Sequence, residues 1–230
     1  MAHRPDWIVG FDADDTLWHN ERFFQMTQDR FASLLEGHAG RDQLDERLLA
    51  AERRNLGHYG YGIKGFMLSM IETATEVCNT DLPTDLIREI LSAGQEMLRH
   101  PIELLPGARE AVETVAQTAK VVLITKCDLL DQERKLAQSG LGELFDAVEI
   151  VSEKTPDIYT RIFGGAPSAL MVGNSLRSDV IPALEAGAWG VHVPHDLTWA
   201  IEHAEPPADH PRFRTIETLE ALPALIDNLS

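Results

Sequence analysis

Trp7-Ile8-Val9-Gly10-Phe11-Asp12-Ala13-Asp14-Asp15-Thr16-Leu17-Trp18 is an apolar run that breaks abruptly into acids and a threonine. Trp7 to Phe11 reads as a buried strand. That sets Asp12 at the strand's carboxyl end, the edge at which open parallel sheets bind ligands. Asp14 follows close enough to serve the same site. A surface loop also tolerates acids, but it seldom follows a buried strand so directly or lies beside Leu17 and Trp18. Alone, D-x-D-x-T is a weak signal, and the rest of the chain has to decide it.

The chain has 230 residues, enough for one sizeable core and a smaller second unit. Its apolar share of 44% and charged share of 25% are those of an ordinary globular protein. The formal net charge of -17, from 20 basic and 37 acidic residues, opposes the phosphate contacts on which nucleic-acid affinity rests, and this excludes DNA or RNA as the primary partner. An anionic substrate would need a local cation, either basic side chains or a metal. Cys78 and Cys127 are far apart and form no C-x-x-C pair, which suits a reduced compartment. No signal-peptide pattern precedes the first strand and no apolar run reaches membrane-spanning length, so the expected location is the cytoplasm, away from membranes.

After Trp18 the pattern turns helical. Phe24, Thr27, Phe31, Leu34 and Leu35 recur at helical spacing, and Leu44, Leu48 and Ala51 continue on a second helix. Asn55 to Gly62 reads as a glycine-rich turn. Ile63, Phe66, Met67, Met70, Ile71, Ala74 and Val77 form a third helical face, and Leu86, Ile87, Ile90, Leu91 and Leu98 a fourth, with Thr84 as its N-cap. Residues 19–99 therefore read as an all-helical insert, large enough to be a small domain, between segments 1–18 and 100–230 of an α/β core. From Ala108 the chain alternates helices with the strands Val121–Ile124, Phe145–Val151, Ala169–Gly173 and Trp189–Val193. This implies a parallel sheet with helices on both faces. Thr215 to Leu225 reads as a closing helix limited by Pro223, and His195 to Pro211 as surface loop.

Three later strands also end in polar residues, and in a parallel sheet such ends share one edge. Thr125-Lys126-Cys127-Asp128 offers a hydroxyl and N–H groups for an oxyanion, or simply a helix cap. Lys154 could neutralise crowded carboxylates and a phosphate, although a lone lysine is more often a surface residue. In Gly173-Asn174-Ser175-Leu176-Arg177-Ser178-Asp179, Asn174 and Asp179 could supply oxygens to a hard cation, or form a polar turn.

Taken together, D-x-D-x-T, a threonine, a lysine and G-N-x-x-x-x-D in this order resemble the haloacid dehalogenase (HAD) superfamily of hydrolases, most of which are phosphatases. The resemblance spans nearly the whole chain and implies a Rossmann-like parallel-sheet core, the HAD fold, with the helical insert as a type 1 cap. It implies that Asp12 is a nucleophile forming an aspartyl-phosphate. Asp14 would be the general acid and base, and Thr125, Lys126 and Lys154 would bind the phosphoryl group. Mg2+ would be held by Asp12, the Asp14 backbone carbonyl, Asn174 and Asp179. The substrate would be a small phosphorylated metabolite, and no pattern specifies an oligomeric state.

The sequence departs from the commonest family pattern at Asp15, where glycine is frequent, and at Lys126 and Cys127, which replace asparagine and glycine. Asn174 stands where aspartate is usual, so weaker magnesium binding is expected. Dehalogenases of this fold typically lack the second acid, so Asp14 favours a phosphatase. A phosphomutase retains both acids, and a binding module without turnover is a further alternative. Specificity is expected from the cap, where the stretch Asn55 to Phe66 presents His58, Tyr59, Tyr61 and Lys64 to a base, sugar or second anion, or packs its aromatics on the cap itself.

Overall fold

The computed structural model describes residues 7–79, 82–166 and 168–229. In chain order the elements are β1 (Ile8–Phe11), α1 (Glu21–Leu34), α2 (Arg41–Tyr59), α3 (Ile63–Cys78), α4 (Thr84–Arg99) and α5 (Ala108–Ala116). β2 (Lys120–Lys126), α6 (Leu129–Ser139), β3 (Ala147–Val151), α7 (Pro156–Phe163) and β4 (Ala169–Gly173) follow. The chain finishes with α8 (Ile181–Glu185), β5 (Trp189–His192), β6 (Phe213–Thr215) and α9 (Leu222–Leu229). It forms two compact units: residues up to Glu21 together with those from Ile102, and Arg22–Pro101.

In the first unit, six strands among the described residues form one sheet in the order β3-β2-β1-β4-β5-β6, with every neighbouring pair parallel. The strands alternate their side chains between two apolar layers, as a period of two requires. Val9, Phe11, Val121 and Leu123 pack with Val112 and Val115 of α5 and Ile226 of α9. Val122, Ile124 and Met171 pack with Tyr159 and Phe163 of α7 and Ala183 of α8. Helices therefore cover both faces, and the fold is the α/β, Rossmann-like one expected. β1 runs through the middle, with β2 on one side and β4 on the other. This is the topological switch point at which doubly wound sheets leave a crevice at their carboxyl edge. Gly10 lets the layers close there: a Cβ at this position would lie 2.7 Å from Ile124 Cδ1 and 3.0 Å from Met171 Sδ.

In the second unit, α1 to α4 bury a core of their own that includes Phe31, Leu35, Leu44, Leu48, Phe66, Met70, Leu86 and Ile90. α2 runs on to Tyr59, so Asn55 to Tyr59 is helical and the glycine turn shrinks to Gly60-Tyr61-Gly62. Asn55 is drawn into the helix because its buried amide finds partners on α3, donating to Ser69 Oγ at 3.1 Å and Glu72 Oε2 at 2.7 Å. Thr84 opens α4 rather than capping it; Pro83 holds the cap position.

The expected closing helix from Thr215 is corrected at both ends. Phe213–Thr215 is instead the edge strand β6, paired with β5. The helix proper starts at Leu222, where Pro223 lies in the first turn, the place in which a missing N–H costs nothing. His195–Pro211 is irregular, as expected, but it is not all surface: Ile201 is buried, and the Glu202 side chain is only 12% exposed.

Candidate active site at the carboxyl edge of the sheet

The strand register brings the expected residues to one edge. Phe11 pairs with Leu123 on one side and Val172 on the other, so Asp12 and Asn174 emerge just past the ends of β1 and β4, and Thr125 is the last residue but one of β2 beside them. Lys126 pairs with Val151, and Lys154 follows shortly after. Asp12 receives its backbone position from β4 through its N–H, 2.9 Å from the Val172 carbonyl.

Lys154 is the centre of the charge arrangement. Its ammonium lies 2.5 Å from Asp12 Oδ1 and 2.6 Å from Asp179 Oδ1, and all three residues are buried. Two carboxylates sharing one cation in a low-dielectric place leave an excess of negative charge. Burial, and then the field of Asp179, push the Asp12 carboxyl up to about 7, against the pull of Lys154. Burial alone would lower the lysine, but Asp12 and Asp179 outweigh it and hold Lys154 well above its ordinary value. Asp179 can approach this closely only because residue 173 is glycine: a Cβ there would lie 2.2 Å from Asp179 Oδ2. The loop is pinned by Ser175 N–H donating to Asp179 Oδ2 at 2.9 Å and by Ser175 Oγ capping the short π-helical turn Leu176–Val180.

Thr16 links the two ends of the motif series. Its hydroxyl accepts the Asn174 N–H at 3.0 Å and stands 2.9 Å from Asp12 Oδ2 and 3.3 Å from Asn174 Oδ1. A hydroxyl has one proton to give, so it cannot serve both oxygens. One of these two oxygens is thus left without the Thr16 proton, beside two buried carboxylates that share one ammonium. Hard oxygen donors in that setting fit magnesium. Among the described residues no group of three or more His, Cys, Asp or Glu side chains forms a metal cluster, so an ion here would rest on a mixed set of carboxylate, amide and backbone oxygens.

Asp14 turns in a different direction. Its Oδ1 accepts from Trp18 Nε1 at 2.7 Å and Lys135 Nζ at 2.9 Å, and its Oδ2 accepts from Gln132 Nε2 at 2.7 Å and Lys135 Nζ at 3.1 Å. Burial would lower Lys135, but Asp14 and Asp131 together raise it. The Asp15 carboxylate accepts the N–H groups of Asn20 at 2.8 Å and Glu21 at 2.9 Å, from a left-handed backbone with φ of 61°. This conformation explains why glycine would also serve at that position.

Thr125 is buried, its hydroxyl reaching the Lys126 carbonyl at 3.5 Å. Lys126 is directed to Ser178 Oγ and Glu202 Oε1, both at 2.6 Å. Cys127 takes φ of 149°, unusual for any side chain, and burial pushes its thiol up to about 11. The residues expected to set specificity lie in the second unit: Tyr59 is 53% exposed at the end of α2, Tyr61 lies between Gly60 and Gly62, and Lys64 is exposed in the first turn of α3.

Sequence reasoning missed Gln132, Lys135 and Glu202. Glu202 left no local signal. The other two did: α6 buries Asp131, Gln132, Lys135 and Ser139 while Leu129 and Leu130 are 58% and 69% exposed. Such a reversed pattern marks polar business on the inner side of a helix.

The fold and edge define a doubly wound α/β core with buried Asp12, Lys154 and Asp179 gathered at its switch point. The chain belongs to the haloacid dehalogenase-like hydrolase family, whose model matches residues 8–187. It is similar to a haloacid dehalogenase-like family hydrolase from Xanthomonas campestris, with 42% identity, a TM-score of 0.87, and coverage of 97% of this chain and 91% of that one. It shares the fold of YfnB from Bacillus subtilis, a structure bound to magnesium, at 17% identity and a TM-score of 0.62, covering 96% and 98% of the two chains. It also shares the fold of L-2-haloacid dehalogenase from Xanthobacter autotrophicus, at 18% identity and a TM-score of 0.65, covering 97% and 99%. No curated protein matches the chain.

Proposed function

We propose that the chain is a magnesium-dependent phosphatase acting on a small phosphorylated metabolite through an aspartyl-phosphate. The observation that carries this reading is the pairing of two acids at the end of β1: Asp12 shares the buried Lys154 ammonium with Asp179, and a second acid, Asp14, follows two residues later with its own separate partners. A metal-free dehalogenation by a lone aspartate has no use for that second acid.

In the proposed reaction an Asp12 carboxylate oxygen forms a bond to phosphorus as the ester oxygen departs, and Asp14 supplies the leaving oxygen's proton. Asp14 then takes a proton from water, whose oxygen attacks phosphorus and frees Asp12 and phosphate. Lys154 holds the Asp12 oxygen and offsets the phosphoryl charge, and the Thr125 hydroxyl donates to a phosphoryl oxygen. Lys126 reaches the phosphate only by exchanging Glu202 for it. Magnesium held by Asp12, the Asp14 carbonyl, Asn174 and Asp179 would neutralise the phosphate and polarise its oxygens. The cap residues Tyr59, Tyr61 and Lys64 would select the rest of the substrate.

The two separate, unpaired cysteines support a reduced, cytoplasmic setting, and no helix among the described residues is long and apolar enough to cross a membrane. The reading is tested by assaying phosphate release from a panel of phosphate esters with magnesium, and halide release from 2-haloacids without it. Phosphate release that requires magnesium, and that falls at least ~10^3-fold in Asp12→Asn, is expected. Halide release alone, a transfer of phosphate between positions of a sugar, or no turnover across the panel would overturn it.

A further inference from the structure

α6 turns Leu136 toward the core but also buries Gln132 and Lys135, and these two converge on one carboxylate. Helices normally bury their leucines, yet here Leu129 and Leu130 face out and Gln132 and Lys135 are 1% and 5% exposed. The spacing of Gln132 and Lys135 places both on one face of the helix. Lys135 donates to both oxygens of Asp14, to Asn20 Oδ1 at 2.7 Å, and lies 3.5 Å from Asp131 Oδ2. Gln132 gives Asp14 its Nε2 at 2.7 Å, while its own Oε1 is buried with no hydrogen-bond partner. An unpartnered buried carbonyl costs stability. The amide is thus oriented for Asp14 at the fold's expense. Among the described residues, the hydrogen bonds that reach the Asp14 carboxylate come from the buried side chains of Trp18, Gln132 and Lys135.

We infer that Lys135 and Gln132 are positioning residues that set the direction of the Asp14 carboxylate, and that α6 carries its reversed pattern for this purpose. The inference rests on the phosphatase reading for its chemical meaning. If Asp14 delivers a proton to the leaving oxygen, losing its support hurts esters with poor leaving groups most, since a good leaving group departs without one. An acid shifted by 1 Å loses a large share of its effect.

The test is a double-mutant cycle with Lys135→Met and Gln132→Met, each made alone and with Asp14→Asn. In the wild-type background each is expected to lower kcat for glycerol phosphate by roughly 10^2-fold, with KM changed less than about threefold, and to lower kcat for 4-nitrophenyl phosphate by less than about tenfold. In the Asp14→Asn background neither should lower kcat further. Equal losses in both backgrounds, or equal losses on both esters, would overturn the inference. Gln132→Met serves if Lys135→Met does not fold. The same cycle read as thermal unfolding decides the point without turnover: Lys135→Met should cost clearly less Tm once Asp14 is Asn, and additive losses would overturn the coupling. A wild-type protein that hydrolyses no ester would instead sink the phosphatase reading and leave the Tm cycle to judge the positioning.

Discussion

Lys154 carries the electrostatics of the site, because it is the buried cation shared by Asp12 and Asp179. Removing one member of a buried, hydrogen-bonded charge group leaves the others unpaired, at a cost of about 3–5 kcal/mol. Lys154→Met is therefore expected to lower stability by that order, read by denaturant unfolding without added metal. In the proposed site Asn174 would give magnesium a neutral oxygen where a carboxylate is possible, so Asn174→Asp should reduce the magnesium concentration for half-maximal activity several-fold; an unchanged or higher requirement would contradict the proposal. Asp12 and Asn174 could be read in the sequence because each follows directly on a buried apolar run, and Lys154 because it lies three residues past the end of a strand whose neighbours share the same edge. Lys135 and Glu202 could not be placed the same way. Their roles depend on partners more than 70 positions away in the chain, and a polar residue on a helix or loop looks solvated until that partner is known.

At the scale of elements, two loops decide the geometry. The turn after β4 closes because Gly173 leaves room for Asp179, and Gly173→Ala forces that carboxylate away from Lys154. Overpacking of this kind costs about 1–3 kcal/mol, and the substitution is expected to lower activity as well as stability. Gly10→Ala, which crowds only apolar side chains, should lower stability with much less effect on kcat. The segment after β5 is held by Glu202, which accepts from Lys126, Ser175 and Ser178. Burial would raise this carboxyl, but Lys126 and those hydrogen bonds outweigh it and hold it below its ordinary 4.5. A carboxylate lowered on folding adds stability above its unfolded value and loses it as pH falls through the folded one, because the unfolded chain binds the extra proton. Stability should thus drop as pH falls below about 4.5, and Glu202→Gln should flatten that part of the profile. β6 escaped sequence reading for a related reason: Phe213-Arg214-Thr215 is too short to show alternation and becomes a strand only by pairing with β5.

At the scale of the molecule, the fold class was legible from the alternation of helical and strand periods, since a parallel sheet with covered faces is the arrangement that buries such strands. The net charge of -17 sets a condition on any anionic substrate. Long-range repulsion slows the encounter and is screened by salt. Raising ionic strength from about 10 to 150 mM is therefore expected to raise kcat/KM for a phosphate ester at fixed, saturating magnesium while leaving kcat nearly constant.

The account stands on Asp12 as a nucleophile toward phosphorus. The direct measurement is intact-protein mass spectrometry after rapid acid quench of the enzyme turning over a phosphate ester with magnesium. A covalent phosphoryl adduct that maps to Asp12, is labile to hydroxylamine and is absent in Asp12→Asn is the predicted result. Phosphate release with no adduct at Asp12, or release that persists in Asp12→Asn, would contradict it.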